Sequence, residues 1–150
     1  MASRADHASL LREMRRALLA EFGARSIYRR LAKLVRDAEL ARLLANFALE
    51  EDEQIDRLRA SMIELGAKPR SRSLRRTVLA NLLAFTAPVI GQRLALRICE
   101  DAEERRARWY AHFNEYLLHH GELELAKQCA HMSLTKQRHA QALQAWVDHG

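Results

Sequence analysis

The chain is poor in helix breakers: its 150 residues include 5 glycines and 2 prolines. Few turns are available, so long helices must cover most of it. Cysteine is scarcer still. Cys99 and Cys129 cannot build a disulfide framework, which points to a reducing compartment. The N-terminus lacks an apolar signal core, so a cytoplasmic protein is expected. No glycine-rich phosphate loop, nucleophile elbow or zinc-finger spacing occurs. What is present is 49% hydrophobic and 29% charged residues, the balance of one soluble globular domain with a short disordered tail over residues 1–8. Lysine and arginine number 25 against 19 acids, a net charge of +6. That excess favours anionic partners. With no DNA- or RNA-binding motif beside it, an acidic membrane surface is the expected partner and nucleic acid is not.

Turn signals fall at Gly66 to Pro69, at Pro88 to Gly91 and at His120-Gly121, and the periodicity between them is helical. The spacing predicts a first helix from about Ser9 to Val35 and a second from about Glu39 to Leu65. A basic linker, Ala67 to Ser73, follows. An apolar segment from Thr77 to Ile90 then leads into a helix ending near Leu118, and a last helix runs from about Glu122 to Val147. Four long helices with one long crossover are the layout of an all-α, ferritin-like four-helix bundle with an extra apolar crossover helix.

The inward stripes carry the functional signal. The first reads Leu11, Met14, Leu18, Glu21, Tyr28, Val35, and the second Leu40, Leu44, Phe47, Glu51, Gln54, Leu58, Met62, Leu65. The next reads Leu96, Cys99, Glu103, Tyr110, Phe113, Leu117, and the last Leu125, Cys129, Met132, Lys136, His139, Leu143, Trp146. Steps of three and four place each set on one helix face. Every stripe is interrupted near its middle by polar or ionisable residues, so a polar site in a bundle core is expected. A half-repeat supports it. Glu21 precedes Tyr28 by seven residues and Glu103 precedes Tyr110 by seven, while Glu51-x-x-Gln54 and Lys136-x-x-His139 fall on the other two helices. A glutamate from two helices and a Glu-x-x-His pair from the other two is the di-iron carboxylate pattern, because two divalent ions need about four carboxylates for neutrality.

The segment Glu21-Phe-Gly-Ala-Arg-Ser-Ile-Tyr28, the step to Glu51, and Asp101-Ala-Glu-Glu104 followed by Tyr110 resemble the demethoxyubiquinone hydroxylases over nearly the whole chain. The resemblance implies a ferritin-like bundle with a di-iron centre that hydroxylates a quinone ring in ubiquinone biosynthesis while lying on a membrane. It implies metal ligands at Glu21, Glu51, Glu103 and His139, with Gln54 and Lys136 at the two remaining ligand positions. Tyr28 and Tyr110 are the candidate catalytic residues, as radical or proton-transfer groups beside the centre. A quinone or isoprenoid lipid would be the partner, and a homo-oligomer is left open.

Gln54 stands where the family has histidine, and Lys136 where it has glutamate. Gln54 still offers a neutral amide oxygen. Lys136 cannot coordinate while protonated, and three glutamates with one lysine total −2, enough for one divalent ion. The family's histidine before the second tyrosine is replaced by Trp109. Three states of the site follow: two irons, one ion on Glu21, Glu51, Glu103 and His139, or a metal-free network in which Lys136 is the counter-ion. The third is the leading expectation.

Simpler roles stand beside these. Tyr28 and Tyr110 also fit as packed aromatics, Cys99 and Cys129 as small core hydrophobes, and His112, His119, His120, His131 and His149 as surface residues. Arg25 and Arg106 fall near the stripes, either paired with the core glutamates or at the edge. The uncharged run Thr77–Gln92 is short for a membrane span and is broken by Pro88 and Gly91. It reads equally as a buried crossover or as an interfacial helix, peripheral on the inner membrane face, with Lys68, Arg70, Arg72, Arg75 and Arg76 turned to anionic headgroups.

Overall fold

Residues 4–67 and 91–149 are described by a computed structural model, with side chains from residue 7 onward. All regular structure among them is helical: α1 Arg4–Leu34, α2 Ala38–Glu64, α3 Gln92–His119 and α4 Leu123–His149. The expected all-α class is therefore observed. The basic residues Lys68, Arg70, Arg72, Arg75 and Arg76 and the apolar run 77–90 lie outside the described residues. No helix among the described residues is long and apolar enough to cross a membrane. The chain divides into two compact units, Met1–Pro88 and Val89–Gly150.

The first unit is the hairpin α1–α2. The turn between them is set by Asp37, whose carboxylate accepts from Glu39 N at 2.9 Å and Leu40 N at 3.0 Å and so caps α2. Helices joined this tightly run antiparallel. Their far ends are tied by His7, whose Nε2 donates to the Leu65 carbonyl at 2.7 Å. Leu40, Leu44, Phe47, Leu58 and Met62 are buried along α2 as the stripe requires. Each contributes about 2 kcal/mol of burial energy. Tyr28 meets Phe47 edge to face, their ring centres 5.4 Å apart.

The stripe on α1 needs correction at both ends. Leu10, not Leu11, is the buried leucine of the first turns, and Leu31 rather than Val35 closes the stripe. The helix also starts at Arg4, reaching back into the stretch expected to be a tail.

The second unit is the hairpin α3–α4. Leu96, Cys99, Phe113 and Leu117 on α3 and Leu125, Cys129, Met132 and Leu143 on α4 are buried. At the C-terminal end of α4 Val147 is buried, and Trp146 is only half-buried, a one-residue shift from the expected stripe. A buried bond from Ser133 Oγ to the Ala107 carbonyl, 2.8 Å long, links the two helices midway. Along α3, Trp109 stacks on Phe113 with centres 4.8 Å apart. Trp109 also meets Tyr110 edge to face.

Helices α2 and α3 end the same way. Gly66 and Gly121 adopt positive φ, 83° and 75°. Gly66 N bonds to Ile63 O and Ala67 N to Met62 O; Gly121 N bonds to Leu118 O and Glu122 N to Leu117 O. Both are Schellman motifs, which need a left-handed residue that glycine supplies without a Cβ penalty.

Candidate functional site

Each hairpin carries half of the expected polar set. In the first unit, Glu21 on α1 and Glu51 on α2 are fully buried, and so are Gln54 and Tyr28 to within a few per cent. Glu21 sits between Leu18 and Tyr28 on the inward face, and Glu51 between Phe47 and Leu58. The apolar neighbours that bury the face carry the carboxylates in with them. The amide oxygen of Gln54 is buried with no hydrogen-bond partner among the described residues. It is an acceptor facing the interior at a position where the resemblance implies a histidine. Arg25 proves to be an edge residue: its Nη1 pairs at 2.8 Å with Asp52 rather than with a core glutamate.

In the second unit the polar residues converge. Glu103, Lys136 and His139 are all fully buried, and so is Tyr110 two turns beyond Glu103 on α3. Glu103 forms an ion pair with Arg106, one turn along α3. Its other oxygen lies 3.7 Å from His139 Nδ1, longer than a hydrogen bond. Burial alone pushes the Glu103 carboxyl up. The positive charges of Arg106 and then Lys136, with His139 adding to them, outweigh burial and hold it below the ordinary carboxylate value. The same surroundings keep the thiols inert. Burial and then the Glu103 carboxylate push Cys99 up to about 12 against the pull of Arg106, and burial alone does the same for Cys129.

These neighbours decide how well a pair of iron ions fits. A di-metal centre needs an excess of carboxylate, yet in this hairpin the single buried carboxylate faces two cationic side chains. Lysine offers no lone pair while protonated. The donor set of this hairpin does not fit two irons. Glu103 and His139 do offer an oxygen and a nitrogen close together, a pair suited to one divalent ion.

Of the residues singled out from sequence, Glu103, Lys136 and His139 are brought together within one hairpin, and Glu21, Glu51, Gln54 and Tyr28 are buried in the other. The ring of Tyr110 is packed against Trp109. His112, His119, His120, His131 and His149 are exposed, and Cys99 and Cys129 are free and buried. The partnership of Glu103 with Arg106 was left open by the stripes, although their i, i+3 spacing on one helix is a signal for it. No family model, curated protein or solved structure matches the chain.

Proposed function

We propose that the chain is a ferritin-like relative of the demethoxyubiquinone hydroxylases in which fixed charges replace the di-iron centre, and that it binds a quinone or isoprenoid lipid without oxidising it. One observation supports this above the others. Lys136 is fully buried at a position where the resemblance calls for a glutamate ligand, and its charge acts on Glu103. In this reading Lys136 is the internal counter-ion of Glu103. Tyr28 and Tyr110 are then packing residues. The apolar run 77–90 and its basic approach admit the lipid tail at an anionic membrane surface. The test combines metal analysis after expression in iron-rich medium with equilibrium dialysis against a short-chain ubiquinone. The expected result is no stoichiometric iron, saturable quinone binding and no hydroxylated product. Iron at one or two ions per chain with oxygen-dependent product would overturn it.

The Glu103–His139 pair favours a second reading: a one-ion protein in which these two residues are the ligands. The test is titration with Mn²⁺ or Zn²⁺. One ion per chain, lost in His139→Ala while the helical signal persists, selects this reading. No saturable uptake selects the first.

A further inference from the structure

A second polar cluster, unrelated to the core glutamates, lies on the first hairpin around Phe22. The guanidinium carbons of Arg25 on α1 and Arg59 on α2 each stand 4.9 Å from the centre of the Phe22 ring. The two cations are thus no farther apart than twice that distance. Arg29, one turn beyond Arg25, joins them through Asp52, whose two oxygens accept from Arg25 and Arg29 at 2.8 Å each. The cluster holds three guanidinium groups and one carboxylate.

Arg59 carries the inference. Contact with a ring face attracts its charge but uses none of its N–H donors. No acceptor for Arg59 occurs among the described residues, and the Nε groups of Arg59 and Arg25 are both buried without one. Asp56, one turn before Arg59, is exposed and makes no ion pair with it. The undescribed stretch 68–90 contains no aspartate or glutamate. Asp6 lies sixteen residues before Phe22 along α1, about 24 Å of helix. Among the described residues no second carboxylate pairs with this site, which has an excess of two positive charges. The site is also reachable, since the side chains of Arg25 and Arg29 are 24% and 54% exposed.

We propose that Arg59, with Arg25 and Arg29, forms an oxyanion site on the α1–α2 hairpin that takes a phosphate monoester group. Charge selects the ligand class. A phosphate monoester carries close to two negative charges at neutral pH, matching the excess, and its oxygens suit the fork of a guanidinium. Phe22 acts as the platform that holds the Arg25 and Arg59 planes apart and oriented. The group arrives either on a soluble phosphate ester or on a phospholipid headgroup; the recognition chemistry is the same.

The experiment follows the arginine Nε–H resonances of the full chain during titration with inorganic phosphate, ionic strength being held constant with chloride. The Arg59 and Arg25 signals should move saturably, and the melting temperature should rise with phosphate. Arg59→Gln should abolish both responses. Arg59→Lys keeps a charge over Phe22 but loses the fork, and should weaken phosphate binding by roughly tenfold. Movement equal to that caused by chloride alone, or a full response in Arg59→Gln, overturns the proposal. Sedimentation with phosphatidylcholine vesicles, with and without phosphatidic acid, identifies the source. Arg59-dependent binding to the acidic vesicles marks a headgroup, and phosphate binding without it marks a soluble ester. Failure to respond to either probe overturns the proposal. Because Glu103, Lys136 and His139 take no part, none of these results depends on the core reading.

Discussion

Lys136 is a long, flexible ammonium side chain held in full burial, and that is costly unless carboxylates answer it. Its value to the fold is best seen through Glu103, whose carboxyl is held below its ordinary value of 4.5. A group lowered in the folded state stabilises the fold above its unfolded pKa, and that contribution disappears as pH falls through the folded pKa. Lys136→Met keeps the shape but removes one of the lowering charges, so the upward push of burial gains on what remains. The variant should lose about 3–5 kcal/mol at pH 7, the usual cost of breaking a buried pair. Its carboxylates then protonate more readily, and protonation relieves the strain. The melting-temperature gap between parent and variant should therefore narrow from pH 7 to pH 5. Thermal melts at the two pH values check it; a gap that widens in acid would show that Lys136 does not balance the glutamates.

At the scale of the helices, stability depends on ends as well as faces. Asp37 satisfies two of the amide groups that open α2 and fixes the tight turn from α1. Asp37→Ala should cost about 1 kcal/mol, read as a lower urea midpoint with an unchanged slope. Much of this level was legible in advance. On α2 every inward residue from Leu40 to Met62 is buried as its spacing demands, the two polar ones included, because apolar neighbours leave the helix no other face to bury. Where two adjacent residues are both apolar, the spacing loses its power to choose. Leu10 beside Leu11 is such a case, and so is Trp146 beside Val147. The start of α1 at Arg4 was missed because the apolar periodicity that marks the helix sets in only at Leu10. The Phe22 cluster was missed for a different reason. Arg59 and Phe22 lie on different helices, and their meeting depends on the relative rotation of the pair, which no spacing within one helix records. Lys136 and Glu103 also lie on different helices, but each was visible singly as a polar break in an apolar stripe.

For the molecule as a whole, the net charge of +6 is not spread without purpose. Part of the excess sits over Phe22, part is buried at Lys136, and a block of five lies between residues 68 and 76, in the approach to the apolar run. If the chain is a single domain, as its length and composition predict, the two hairpins should unfold together. The placement of the aromatic residues supplies a direct way to ask. Both tryptophans of the chain, Trp109 and Trp146, belong to the second hairpin, and the first has none. Tryptophan emission therefore sees α3 and α4 alone, whereas the far-ultraviolet helical signal averages all four helices. Coincident urea transitions by the two probes are expected, the mark of one cooperative unit. A helical transition that runs ahead of the emission change would mean that the first hairpin melts on its own. Trp109 lies stacked on Phe113 and edge-on to Tyr110, one turn from Arg106 and two from Glu103. The chain thus carries its own optical reporter beside the charged core, and blind to the half that holds Phe22.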